Sequence, residues 1–150
     1  MTHQELKGQL KEAMKAHDAV KLSVVRGLLS AATNEAIAKS KGPDALLTDD
    51  ELMSVIMRAA KQRKDSIEQF EKGGRPELAE NEKAELTIIE SMLPTQMSRE
   101  EIEAAVKAKA AEMGVTDKTG ANKLMGMLMK DLKGKADGTI VKEVVDSLFS

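Results

Sequence analysis

Apolar residues recur along this chain at intervals of three and four, the spacing that lines one face of an α-helix, over seven successive stretches. The first holds Leu6, Leu10 and Met14. Thr2 and Glu5 precede it as a capping box, in which the hydroxyl accepts the Glu5 N–H and the carboxylate accepts the Thr2 N–H. This helix is expected to end near His17, with Asp18 capping the next. The second runs to about Lys39 and turns Leu22, Val25, Leu29, Ala32 and Ala36 inward, until Ser40-Lys41-Gly42-Pro43-Asp44 breaks it. Thr48 with Glu51 opens a long third helix that Gly73-Gly74 closes. Pro76 suits the first turn of a fourth, which reaches about Met92. Ser98 with Glu101 starts a fifth that ends near Gly114.

The last two helices lie between Thr116 and Phe149. Leu124, Leu128 and Leu132 mark one face of the sixth. Ile140, Val141, Val144, Val145 and Leu148 mark one face of the seventh. A glycine-containing turn, Lys133 to Gly138, joins them. The pattern predicts an all-α protein: a four-helix N-terminal subdomain over 1–93, a linker at 94–97, and a C-terminal three-helix bundle over 98–150.

Composition supports the helical reading. Ala, Leu, Met, Lys and Glu dominate, and aromatic residues make up 1% of the chain, so strand-formers are scarce. There is no cysteine, which excludes disulfides, thiol nucleophiles and cysteine metal sites. The start, Met1 to Glu5, lacks a cationic and apolar signal, and no apolar run approaches a membrane span, so a cytoplasmic protein is expected. The net charge of −2 argues against whole-protein attraction to nucleic acid, so any such binding needs a local patch. Lys118 to Lys135 offers one, with five lysines against a single acid, Asp131.

Other side chains carry candidate chemistry. Arg58, Lys61, Arg63 and Lys64 fall on the third helix with no acid between them. At 100° per residue Arg63 lies within the apolar arc of Leu52, Val55, Ile56, Ala59, Ile67 and Phe70, while Lys61 and Lys64 lie outside it. An inward guanidinium needs a partner. Glu82 and Glu85 lie within the apolar arc of the fourth helix, so an Arg63–Glu82/Glu85 ion network joining the two helices is expected. Lys133 and Lys135 beside the start of the last helix form either an anion site or a plain turn, with Gly134 as the C′ residue and Asp137 as N-cap. Gly126 inside the sixth helix suggests close helix packing. Met125, Met127 and Met129 fill a core or line a partner groove. His3 and His17 have no ligand cluster around them, so no metal is expected. Ser23, Ser30, Ser66 and Ser91 have no histidine partner, and no catalytic residue or cofactor is assigned.

Three ordered blocks carry a family resemblance. They are Lys61-Gln62-Arg63-Lys64-Asp65-Ser66 with Phe70 and Arg75; Glu82, Glu85 and Leu93-Pro94; and Lys123-Leu124-Met125-Gly126 with Met129, Gly134-Lys135-Ala136-Asp137-Gly138, Val141 and Val145. Together they resemble the YqeY family. They are also similar to the C-terminal tail domain of the B subunit of the tRNA-dependent amidotransferase (GatB), whose tail engages tRNA. The resemblance implies a stand-alone tail-like protein that contacts tRNA or other structured RNA. On that reading the RNA-binding residues are Lys123, Lys130, Lys133 and Lys135, then Arg58, Lys61 and Lys64. It leaves two alternatives open: an accessory role in carbon–nitrogen ligation with glutamine as amido donor, and a protein-interaction module.

Overall fold

The computed structural model describes residues 1–42 and 44–150. It is all-α, with no strand among the described residues. The helices are α1 (His3–Lys15), α2 (Ala19–Ala38), α3 (Asp49–Lys72), α4 (Pro76–Ser91), α5 (Arg99–Met113), α6 (Ala121–Asp131) and α7 (Gly138–Leu148). A short 3₁₀ turn, Lys118–Gly120, precedes α6 and lies outside the sequence expectation. All three capping boxes form. Thr2, Thr48 and Ser98 each accept the backbone N–H three residues on, and Glu5, Glu51 and Glu101 each accept the N–H of the cap.

The chain divides into two compact units, Met1–Leu93 and Pro94–Ser150. In the first, α2 packs against α1, α3 and α4, and α3 lies along α4. The core collects Leu6, Val24, Val25, Leu28, Leu52 and Ile56 with Ile89 from α4. In the second, α5, α6 and α7 close around Ile102, Val106, Leu124, Leu128, Val141 and Val145. Segment 94–97 is bonded within the second unit: Gln96 Nε2 donates to the Gly134 carbonyl at 2.9 Å, and the Met97 N–H donates to that of Lys135 at 2.8 Å.

Several burial expectations are corrected. Met14 is 52% exposed, and the neighbouring Ala13 is buried instead. The buried face of α1 therefore runs through His3, Leu6 and Ala13, where a methyl group allows closer packing than a thioether. On α2, Val24 and Leu28 are buried, while Leu22 and Leu29 are only half-buried. That helix touches three neighbours, so a single apolar arc cannot orient it. Leu148 is 37% exposed and rims an open groove with Val106, Lys107 and Ser147. Gly126 is exposed, and an added Cβ would meet nothing within 4 Å, so close packing is not why glycine stands there.

Helix ends also differ in detail. α2 stops before the glycine-proline stretch: Ser40 takes a left-handed φ of 57°, and the Lys41 N–H returns to the Ala36 carbonyl at 2.9 Å. The expected break at Pro43 itself lies outside the described residues. Gly134 has φ 78° but sits two residues past the Leu132 C-cap, one beyond the expected C′ position.

Candidate functional site

The cations singled out in the sequence fall into two groups with different surroundings. On the first unit, Arg58 Nη1 lies 3.2 Å from Glu35 Oε2 of α2. Lys64 Nζ lies 3.5 Å from Glu90 Oε1 of α4. Lys61 is exposed and has no ion pair among the described residues. Two of these three therefore already face acids of their own unit, which weakens their pull on an outside anion.

Arg63 is only about a third exposed and lies between α3 and α4. Its Nε is 2.8 Å from Glu85 Oε2 and 3.5 Å from Glu82 Oε2. Neither approach has hydrogen-bond geometry: the buried Nε and the buried Glu82 Oε2 each lack a bonded partner. The contact is thus an ion cluster held by charge and proximity rather than by aligned bonds. Lys83 Nζ adds a bond to Glu71 Oε1 at 2.7 Å near the far end of the same helix pair. The bonds to Glu71 and Glu80 hold the Lys83 ammonium above its usual range.

On the second unit, Lys123, Lys130, Lys133 and Lys135 are all exposed, and none has an ion pair among the described residues. Asp131, the one acid of the Lys118–Lys135 segment, turns away to Lys109 of α5, with Oδ2 3.0 Å from Nζ. That bond, with Glu112 as a second carboxylate, raises the Lys109 pKa. Lys123 and Lys130 sit seven residues apart on α6, about two turns and ~10 Å along one face. Between them on that face lie the open Gly126 and Met127, which is 38% exposed. Met125 and Met129 pack partly into the core, so the methionine run divides between two surroundings.

The turn between α6 and α7 is internally satisfied. The Lys135 and Ala136 N–H groups both donate to the Leu132 carbonyl, at 3.0 and 3.2 Å. Asp137 caps α7, its Oδ1 accepting the Thr139 N–H at 2.8 Å. A carboxylate thus occupies the first turn of α7, where an external anion would otherwise meet the helix N-terminus. Lys133 and Lys135 belong to an exposed cationic surface rather than to a phosphate cradle.

A model of the family described as Yqey-like protein matches residues 3–149. The chain belongs to the YqeY family. Curated relatives carry the name "Altered inheritance of mitochondria protein 41, mitochondrial". The one from Pyrenophora tritici-repentis is 32% identical over 134 residues, covering 87% of this chain and 71% of its own. That from Kluyveromyces lactis is 41% identical over 105 residues, covering 67% and 54%. A Saccharomyces cerevisiae relative is 32% identical over 133 residues, covering 88% and 68%. The chain thus spans between about half and seven tenths of these relatives' lengths. Their names overturn the cytoplasmic expectation, because each is called mitochondrial. A cysteine-free composition is compatible with a reducing environment, and that does not distinguish the two compartments. Among the described residues, no three His, Asp or Glu side chains form a metal-binding group, and no helix is long and apolar enough to cross a membrane.

His3, set aside as a metal ligand in the sequence, has a defined structural place. His3 is 6% exposed, the one charged or polar residue in the buried set of the described residues. A lone histidine before an amphipathic stretch carries no signal of this. Its partner is a backbone amide 44 positions away.

Proposed function

We propose that this YqeY-family protein is a non-catalytic RNA-binding or adaptor protein whose C-terminal unit contacts tRNA or another structured RNA. The contact residues on that unit are Lys123, Lys130, Lys133 and Lys135; Lys61, Arg58 and Lys64 of the first unit contribute less, as a separate patch. One observation carries this reading: these four lysines stand exposed without carboxylate partners, while the only acid of their segment is bound to Lys109. Over residues 94–150 the basic and acidic side chains balance, so the attraction is local rather than a property of the whole unit. Phe70 and Phe149 are both half-buried, which disfavours base stacking and favours contact with the phosphate backbone. Such binding reads shape and depends strongly on salt. The relatives' names make mitochondrial tRNA the first RNA to try.

A filter-binding titration with tRNA at two salt concentrations tests the proposal. Saturable binding that weakens steeply with salt supports it. No binding at low salt refutes it and shifts weight to a protein partner, for which the exposed Met127 offers the apolar contact.

A further inference from the structure

His3 opens α1, and its ring is buried against the segment that leads into α3. Its Nδ1 accepts the Leu47 N–H at 3.0 Å, a buried bond between residues 44 apart in sequence. Residues 45–48 belong to no helix, so this bond ties an irregular stretch to the N-terminal unit. Leu47 itself is 4% exposed and shares the core cluster with Leu6 and Leu52.

An imidazole nitrogen accepts a hydrogen bond only when it carries no proton. The bond therefore fixes the tautomer with hydrogen on Nε2, and it cannot coexist with the imidazolium. Protonation would have three consequences at once. The Leu47 N–H would lose its buried acceptor. A cation would stand in an apolar site. That cation would also lie at the positive end of α1.

The charges around the ring do not offset this. Lys7, one turn along α1, acts on it and disfavours a second positive charge. The segment against it contributes Ala45, Leu46 and Leu47. Asp44 and Glu51 border that segment. Asp44 is exposed, and Glu51 is bonded to Lys41, to Lys39 and to the Thr48 N–H. The residues of α2 and α3 in the same cluster, such as Val25, Leu28 and Leu52, are apolar.

We propose that His3 is an acid-sensitive pin: its neutral ring holds the 45–47 segment closed on the first unit, and its protonation releases Leu47 and loosens the start of α1. Leu46, next to the pinned residue, is already 43% exposed. Release of Leu47 would therefore widen an apolar surface rather than create one from nothing. Burial and Lys7 both push the His3 pKa below its ordinary 6.5. The open form, with histidine in water, keeps the ordinary value. Closure is therefore fully favoured above about pH 6.5 and weakens as pH falls below it, by up to about tenfold per unit until the lowered value is passed.

The test is amide hydrogen exchange at Leu47 in the full chain between pH 7.5 and 5, corrected for intrinsic exchange, beside an NMR titration of the His3 ring. The expected result is a Leu47 protection factor that falls once the pH drops below about 6.5, by up to about tenfold per unit, with the His3 ring in the Nε2–H tautomer and titrating below its ordinary 6.5. His3→Asn places its Oδ1 where Nδ1 stands, so it keeps an acceptor for the Leu47 N–H without titrating there, and its Leu47 protection should be flat with pH. A wild-type protection factor that stays flat would overturn the proposal. So would an equal fall in His3→Asn, or a His3 ring that titrates at or above its ordinary 6.5. If His3→Asn does not fold, the wild-type tautomer and titration still decide the matter.

Discussion

Gly120 and Gly126 lie at opposite ends of the same short stretch and should respond oppositely to a methyl group. At Gly126 a Cβ would meet open space on an exposed helical face, so Gly126→Ala should raise stability by about 1 kcal/mol through helix propensity alone. At Gly120 a Cβ would fall 2.7 Å from Cγ1 of Val115, a short and stiff side chain. Gly120→Ala should therefore lower the urea midpoint where Gly126→Ala raises it. His17 and Ser40 hold left-handed φ values of 54° and 57° at helix ends where glycine is the usual choice. Replacing either by Gly should stabilise by up to about 1 kcal/mol, measurable in the same denaturation series.

At the scale of helices, the α3–α4 contact carries the ion cluster, and its parts should not be additive. Arg63→Ala leaves Glu82 and Glu85 facing each other half-buried and should cost about 1–2 kcal/mol, less than a fully buried pair because water still reaches them. Adding Glu85→Gln should recover part of that loss in a double-mutant cycle. The start of α3 supplies a pH dependence. Bonds from Lys41, then from the Thr48 N–H and Lys39, hold Glu51 at about 2 against an ordinary 4.5. A depressed carboxylate stabilises the fold above its unfolded value. Stability of the first unit should thus fall as pH drops from about 4.5 toward 2, and Glu51→Gln should remove that part of the acid transition.

For the whole molecule, two cores that share no residue suggest units able to fold separately. Residues 94–150 expressed alone should show helical circular dichroism and a cooperative melt. A non-cooperative melt would count against that division. The binding surface makes its own quantitative claim. Lys133→Ala with Lys135→Ala should weaken RNA binding and reduce the magnitude of its salt slope by about 2, close to one for each lysine–phosphate pair removed. An unchanged slope would exclude those two lysines.

Helix existence and most helix starts were readable from the sequence, because caps and apolar periodicity act over three or four residues. Thr2, Thr48 and Ser98 find their N–H partners in their own first turns, with no help from the rest of the chain. The local excess of lysine over acid between Lys118 and Lys135 was readable for the same reason. The family followed from three ordered blocks along the chain, and its model matches residues 3–149. What only the tertiary structure decided is which of two adjacent residues faces inward and which charge meets which. Met14 yields to Ala13, and Val24 and Leu28 join the core, because close packing between helices selects by shape as well as polarity. Asp131 turns to a lysine 22 positions earlier, and His3 takes an amide 44 positions later. Such pairings depend on where distant segments meet, and no local spacing encodes that.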